Sequence, residues 1–246
     1  MLGIAKTRIL RSVTKYGLVD VTIDFEDGTD IYWARQQVSE RLSGMTANLP
    51  GGITGGMAPI TTPLGEMFMF TIEADHMSLA ERRSLLDWVI RPALRTVPGV
   101  ADVNSLGGVV RAFEVVPDPS KMAAAGVSIA QLKEAIRANN RNDGAGRLSE
   151  GDEVLLVRSE GSLTSMEDLR EVVVTVKGGV PLPLGSLAEI KIGELTRYGV
   201  VTQSGKAEAV QGLVLGLAGA NAQQVVQGVR KKIADLKPTL AQGVRL

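Results

Sequence analysis

The sequence predicts an α+β protein made of two copies of one small strand–helix unit, with an insertion inside the second copy. Apolar residues alternate with polar ones in several short stretches, as in half-buried strands, and elsewhere recur at helical spacing. Hydrophobic residues make up 44% of the 246 positions but aromatic residues only 4%, which predicts small aliphatic cores. A constant offset of about 191 residues superimposes one strand and helix on another, which indicates an internal repeat.

The repeat is clearest around two predicted helices. Residues 28–30 (Gly-Thr-Asp) align with residues 219–221 (Gly-Ala-Asn), both suitable for a turn and a helix cap. The apolar stripes then coincide in the pairs Ala34 and Val225, Val38 and Val229, and Leu42 and Ile233. The simplest unit of this kind is the ferredoxin-like arrangement, a four-stranded sheet under two helices.

The first copy begins with a predicted strand at residues 17–25, whose apolar and polar residues alternate. Thr29 or Asp30 can cap the helix that follows, and Leu49 with the next three residues ends it. Residues 54–65 are rich in Gly, Thr and Pro, which predicts an irregular connection.

The second copy opens with an apolar strand at residues 67–72. Ser78 and Glu81 form a capping-box pattern at the start of a helix, in which Pro92 predicts a kink. Two strands follow, at residues 100–103 and 110–116.

The pattern of predicted elements changes at Pro117, where we predict the insertion. A short helical piece ends at Gly126, and Ser128 with Gln131 caps a helix reaching about residue 138. Residues 139–146 are polar and contain glycine, which predicts an exposed loop. The remaining elements are strands at residues 153–158, 172–176 and 188–192, a capped turn at Ser165, and a final strand–helix unit at 209–244.

Composition and motifs exclude several classes of protein. The 27 basic side chains balance 27 acidic ones, so no global field favours nucleic acid. There is no cysteine for a disulfide or thiolate site, and the one histidine, His76, lies in a predicted loop. No nucleophile–base set or phosphate-binding glycine loop is present, so we expect no catalytic residues, no cofactor and no enzyme activity.

The longest uncharged run, residues 209–228, is about 20 residues long, enough to span a bilayer. It contains several Gln and Asn side chains that hydrocarbon would not tolerate, so we predict a strand, a turn and a helix start. The first residues do not resemble a signal peptide, and we expect the chain as given to be soluble.

Two groups of side chains are candidates for binding a cation. Glu66 and Asp102 lie in separate predicted strands, and carboxylates suit hard or borderline divalent cations, although such residues are more often solvated strand ends. A methionine group (Met57, Met67, Met69 and Met77) could instead bind a soft ion such as Cu(I), although alternate methionines in a strand more often fill a core.

Longer motifs make the sequence similar to a known family. The strings GLVDVTIDFEDGTDIYWARQQVSERL, LPGGI, LGEMF, VPGVADVNSLGG, GVSIAQLKEAIRANN and LVRSEGSLTSMEDL occur in this order over nearly the whole chain. Together they resemble the heavy-metal efflux branch of the resistance–nodulation–division transporters, in the first large periplasmic loop between the first two membrane helices. The glutamate of the LGE motif, Glu66, indicates a resemblance to the divalent-cation branch (cobalt, zinc, cadmium).

The resemblance implies tandem ferredoxin-like porter subdomains with an inserted α+β docking subdomain. Residues 1–65 would be the first porter subdomain, without its opening strand and helix. Residues 66–110 and 199–246 would form the second porter subdomain, and residues 111–198 the docking insertion. The chain would be an excised periplasmic part of an inner-membrane protein of a Gram-negative bacterium.

The resemblance also implies a function and candidate site residues. Glu66 of the LGE motif and Asp102 of the PGVxxV motif match positions that line a proximal metal site, with the other ligands supplied from outside this chain. Glu66 favours Zn, Co, Ni or Cd over Cu(I) and Ag(I). The chain alone would bind divalent metal weakly or not at all, since zinc needs about four ligands. The pump would be proton-driven and trimeric, and would work with a periplasmic adaptor and an outer-membrane channel.

Three alternatives stay open at this stage: a Cu(I)/Ag(I) exporter, an organic-drug exporter of the same superfamily, and a docking module whose acidic residues have no ligand role. The low aromatic content and the pair Glu66 and Asp102 count against the drug exporter.

Overall fold

The computed structural model describes residues 2–46, 48–49, 53, 55–62, 64–150, 153–159, 161–205 and 207–246. The chain divides into two compact units, Met1–Ile60 and Thr61–Leu246. Both contain helices and strands, in agreement with the predicted α+β class. Within the described ranges, no helix has the length and apolar character needed to cross a membrane.

Thirteen strands are assigned within the described residues: β1 (Thr7–Lys15), β2 (Leu18–Phe25), β3 (Glu66–Thr71), β4 (Val100–Gly107), β5 (Arg111–Pro117), β6 (Asp143–Glu150), β7 (Glu153–Ser159), β8 (Val173–Lys177), β9 (Val180–Pro183), β10 (Ala188–Glu194), β11 (Thr202–Gln203), β12 (Ala207–Glu208) and β13 (Val210–Gly216). The α-helices are α1 (Ile31–Thr46), α2 (Leu79–Leu85), α3 (Arg91–Leu94), α4 (Pro119–Ala125), α5 (Ile129–Asn139), α6 (Met166–Glu171) and α7 (Ala222–Leu236). A π-helical turn (Leu86–Ile90) joins α2 to α3, and short 3₁₀ turns occur at Leu184–Ser186 and Lys237–Thr239.

The first unit consists of the β1–β2 hairpin and α1. The strands pair antiparallel through a two-residue loop, in which Gly17 adopts a positive φ of 72°. The Asp30 carboxylate accepts a hydrogen bond from the Trp33 N–H at 2.7 Å and so caps α1, as predicted. Strand β1 was not predicted, and β2 has a hydrogen-bonded partner strand on one edge only among the described residues.

The second unit contains a three-stranded antiparallel sheet in the order β3-β13-β4. Beyond β3, Glu73 forms an isolated antiparallel bridge with Arg245, whose backbone groups exchange hydrogen bonds of 2.8 and 2.9 Å. The bridge places the end of the chain beside β3, where a fourth strand of a ferredoxin-like sheet would lie.

One face of this sheet packs against α2, the π turn, α3 and α7. The helices and strands share an aliphatic core, here called the sheet core: Phe70, Ile72, Leu86, Ile90, Leu94, Val97, Val100, Val103, Val210, Val214, Val225, Val229 and Ile233. The three residues from α7 lie at the predicted helical spacing, so the apolar stripe of the second copy is confirmed.

The helix predicted to kink at Pro92 contains a π turn just before that residue. Ser78 and Glu81 form the predicted capping box, with the Ser78 N–H donating to the Glu81 carboxylate at 2.7 Å. In the π turn the Arg91 N–H donates to the Leu86 carbonyl, five residues back. Because Pro92 has no N–H to donate, the widened turn absorbs the break in hydrogen bonding without ending the helix.

The insertion has an aliphatic core of its own, here called the insertion core: Met122, Val127, Leu132, Leu169, Val172, Leu184, Leu187, Ala188 and Ile190. Strand β10 pairs with β5, β8 pairs with β9, and β6 pairs with β7, all antiparallel. Helices α4 and α5 begin at Asp118 and Ser128 caps, and Gly126 ends α4 in a left-handed conformation.

Residues 139–146 differ from the predicted exposed loop. Helix α5 extends to Asn139, and β6 begins at Asp143, where it pairs with Ser159. The loop prediction was therefore wrong from Asp143 onward. The strand is formed by backbone pairing with β7, which the polar local sequence does not indicate.

The predicted domain boundaries stay predictions, although the sheet core lies within 66–110 and 199–246 and the insertion core within 111–198.

The internal repeat corresponds to equivalent elements. Helix α1 begins at Ile31 and α7 at Ala222, which is 191 residues later, and each directly follows a strand, β2 or β13. The two strands differ in their partners: β13 is central in its sheet, whereas β2 pairs with β1 alone in the described part of the chain.

The low pKa of Asp168 predicts that the thermal stability of the insertion depends on pH. Hydrogen bonds from the Thr164 N–H and from Ser165 lower the pKa of this carboxyl to about 2. The folded pKa lies below the unfolded value of about 3.9. The stabilisation of the folded insertion by the ionised Asp168 carboxylate is therefore present above pH ~4 and is lost as the pH falls towards 2.

We expect Asp168→Asn to reduce the acid-induced fall in melting temperature between pH 5 and 2.5, measured by circular dichroism. Asp235→Asn, at an exposed carboxylate on α7, is the control and should leave that fall unchanged.

Candidate functional site

The sheet brings the two predicted acidic residues to the same level of neighbouring strands. Leu215 of β13 is paired with Glu66 of β3 on one side and with Asp102 of β4 on the other. Two strand spacings separate the acidic residues, so their Cα atoms lie roughly 9–10 Å apart. Residues 36 positions apart in the sequence thus lie across a single strand.

Both pairings occur at irregular points of the ladder. The register shifts between Val214 and Leu215 against β3, and between Leu215 and Gly216 against β4. Bulges of this kind bend a strand and re-aim its side chains, and they are common beside functional sites. The level of Leu215 is therefore where the pattern of alternating faces in this sheet is interrupted.

Glu66 is the first residue of β3 and is exposed to solvent. Within the described residues its carboxylate has neither an ion pair nor a hydrogen bond. The carboxylate is therefore available to a ligand without losing a contact.

Asp102 is in the opposite situation. Its side chain is 15% exposed and pairs with Arg91 at 3.0 Å and with Arg95 at 3.5 Å. Its Oδ1 also accepts a hydrogen bond from the Val103 N–H at 2.8 Å. Burial opposes ionisation, but the hydrogen bonds from Arg91 and Val103 and the two positive charges outweigh it and lower the pKa of Asp102. Asp102 is therefore an ionised carboxylate with resident partners.

Two carboxylates are not a complete metal site. Among the described residues, no group of three or more His, Cys, Asp or Glu side chains is arranged to hold a metal ion. Zinc sites have about four ligands, three of them from protein even in open sites. Glu66 and Asp102 could therefore supply part of a coordination shell at most.

The structure places the four methionines on different elements. Met57 lies in the first unit, whereas Met67 and Met69 lie on β3 and Met77 lies in the loop before α2. Met67 packs against the sheet core, while Met69 is 55% exposed. Met67 thus has the core-filling role that is common for strand methionines.

The sequence reasoning did not identify Arg91 and Arg95 as partners of Asp102. A signal was present: the two arginines are four residues apart on a helix, and a short turn separates that helix from the strand of Asp102. Spacing alone could not show that the turn folds the end of the helix against this strand.

The chain is similar to known proteins over its whole length. The whole chain, residues 1–246, matches the AcrB/AcrD/AcrF family. It is 36% identical over 255 residues to the cobalt-zinc-cadmium resistance protein CzcA of Cupriavidus metallidurans, covering 100% of this chain and 24% of that protein. It is 34% identical over 249 residues to the cation efflux system protein CusA of Escherichia coli K12, with the same two coverages.

A solved structure agrees with the sequence relatives. The fold superimposes on the crystal structure of a heavy metal efflux pump with a TM-score of 0.85 and 31% sequence identity, covering 99% of this chain and 24% of that one. The chain thus spans about a quarter of the length of the relatives it matches. The resemblance and the fold class predicted from the sequence motifs are confirmed. The chain belongs to the AcrB/AcrD/AcrF family, which consists of resistance–nodulation–division transporters rather than enzymes.

Proposed function

We propose that this chain is the periplasmic part of a proton-driven inner-membrane exporter of divalent heavy-metal cations, in which Glu66 and Asp102 line the path of the ion. The observation that carries the proposal is the pairing of both acidic residues with Leu215 in one sheet of a heavy-metal pump fold. Zn, Co, Ni and Cd ions are the proposed substrates, because carboxylate oxygens suit divalent ions better than soft monovalent ones.

The relatives support metal export but not a particular metal. Their names include cobalt, zinc, cadmium and nickel resistance proteins as well as cation efflux proteins, at 34–36% identity. These identities are too similar to separate the branches, so the choice depends on Glu66. An exposed carboxylate that has no ion pair or hydrogen bond within the described part of the chain suits a Zn²⁺-like ion, whereas Cu(I) and Ag(I) favour thioether ligands.

Because Glu66 and Asp102 would form only part of a metal site, the proposal requires further ligands from outside this chain. It also assigns partner proteins to the insertion. We infer that the pump is a homotrimer whose docking insertion faces a periplasmic adaptor and an outer-membrane channel. Exposed apolar side chains near the β8–β9 turn favour such a role, with Val176 60% exposed and Val180 67% exposed.

Metal tolerance of cells carrying the full-length pump tests the proposal. We expect Glu66→Gln and Asp102→Asn each to reduce tolerance to zinc, cobalt, nickel or cadmium by about tenfold. Even the loss of a group that only supports a metal ligand weakens metal binding by roughly 10- to 100-fold, and each factor of ten is about 1.4 kcal/mol. Tolerance to copper and silver should not change. Growth is scored over a metal dilution series after equal expression has been confirmed by immunoblot.

Glu189→Gln is the matched control, since Glu189 is an exposed strand carboxylate of the insertion and should be neutral. Unchanged tolerance to divalent ions in both site variants would contradict the proposal and favour a docking module without ligand residues. Reduced tolerance to copper and silver alone would favour the Cu(I)/Ag(I) exporter. Altered resistance to organic compounds alone would favour the drug exporter.

A further inference from the structure

We propose that Arg91 is a positioning residue that competes with the transported cation for Asp102, so that its guanidinium occupies the carboxylate until a metal ion displaces it. The inference rests on the proposed function and adds a regulatory role within the same site. The two carboxylates differ in their contacts: Glu66 has no partner among the described residues, whereas Asp102 is bound by Arg91.

The contacts of Arg91 leave neither oxygen of Asp102 free. Its Nη2 lies 3.0 Å from Oδ2 and 3.2 Å from Oδ1, and its Nε lies 3.3 Å from Oδ1. Forked arginine–carboxylate contacts of this kind are among the stronger hydrogen-bonded pairs in proteins. A metal ion can bind Asp102 only after at least one of these contacts has been broken.

The two oxygens differ in what else holds them. Oδ1 also receives the Val103 N–H at 2.8 Å and lies 3.5 Å from the Arg95 Nε. Among the described residues, Oδ2 has only Arg91 as a partner. Departure of Arg91 would therefore free Oδ2 for a metal ion, while Oδ1 would stay anchored and keep the carboxylate oriented.

The local charge opposes a divalent cation while Arg91 is in place. Arg91 and Arg95 carry two positive charges against the single negative charge of Asp102. The Asp102 side chain is only 15% exposed, so water screens this excess incompletely. Removing the Arg91 charge takes the net charge of Asp102 and its arginine partners from +1 to zero.

The backbone at Arg91 is irregular, which suits a side chain that has to release Asp102. Arg91 lies where the π turn joins α3, and Pro92 beside it has no backbone N–H to donate. The Arg91 side chain is 35% exposed, so solvent can accept it after release. Arg91 is thus presented from the end of the π turn, next to a proline that donates no backbone hydrogen bond, and not from a regular α-helical turn.

Zinc binding by the purified full-length pump, in competition with a chromogenic zinc chelator, tests this inference apart from transport. We expect Arg91→Gln to bind Zn²⁺ about 5- to 10-fold more tightly than wild type, because a competing ion pair of this exposure has been removed. Arg91→Lys, which keeps the charge but loses the forked contact, should lie between the two. In an Asp102→Asn background, Arg91→Gln should have no effect.

Arg170→Gln is the matched control, since Arg170 forms an exposed pair with Glu167 in the insertion and should leave zinc affinity unchanged. Zinc affinity that stays constant or weakens in both Arg91→Gln and Arg91→Lys, with or without a lower melting temperature, would overturn the inference and leave Arg91 a structural role. In that case Glu66→Gln and Asp102→Asn would still weaken zinc binding. If those two variants bind zinc like wild type, the proposed function itself fails, and this inference with it.

Discussion

Leu86→Ala is expected to destabilise the second unit by about 2–5 kcal/mol, the usual cost of truncating a fully buried leucine. Leu86 is 0% exposed and belongs to the sheet core, and it is the first residue of the π turn. Its loss leaves a cavity between the helix and the sheet that close-packed neighbours fill only in part. Chemical denaturation followed by circular dichroism measures the change as a lower transition midpoint.

Trp88→Ala is the matched control, two residues further along the same turn. Trp88 is 80% exposed, so removing its larger side chain should change the free energy of unfolding of the isolated chain by less than about 0.5 kcal/mol. A similar loss of stability in both variants would contradict the assignment of Leu86 to the core and Trp88 to the surface.

Gly107→Ala is the second change with a large expected effect, about 2 kcal/mol or more. Gly107 ends β4 with a φ of 69°, and an added Cβ would lie 2.3 Å from the Ala209 carbonyl oxygen. Since that atom belongs to the backbone of the paired segment, no side-chain rotation can relieve the overlap. We expect the β4–β13 pairing to open, which hydrogen exchange of the Gln211 and Leu213 amides, on the side of β13 that faces β4, would detect as faster exchange.

Gly178→Ala separates the steric effect from the conformational one. Gly178 also has a positive φ, of 55°, but an added Cβ would meet nothing within 4 Å. Its substitution should therefore cost only the backbone strain, about 1 kcal/mol. Equal effects at the two glycines would show that close approach to Ala209 does not matter.

The features that were predicted from the sequence are those with a local cause. The capping boxes at Ser78 and Ser128 and the glycine stop at Gly126 act within four residues, so short motifs sufficed. The stripe of α7 was visible for the same reason, because helix period is a local property.

The features that were missed depend on distant partners. Strand β1 is polar and largely exposed, so no buried face marked it, although the two-residue loop ending in Gly17 was a usable hairpin signal. Strand β6 depends on β7 for its pairing in the same way. The π turn before Pro92 was predicted only as a kink, because a proline indicates a break but not how the helix accommodates it.

The candidate site was predicted in its residues but not in its contacts. Glu66 and Asp102 came from motifs, whereas their common partner Leu215 lies beyond the whole insertion and becomes a neighbour only through the strand order. Arg91 was missed for a similar reason, since its contact with Asp102 depends on how the helix returns to the sheet.

The one-sided pairing of β2 has a consequence for the behaviour of this chain in solution. Among the described residues no strand pairs with the other edge of β2, and Leu18 and Val19 on this strand are both 61% exposed. Such an edge can recruit a strand from another molecule, and apolar side chains add to the gain. Self-association would then contribute to the apparent stability of the first unit, which would rise with protein concentration.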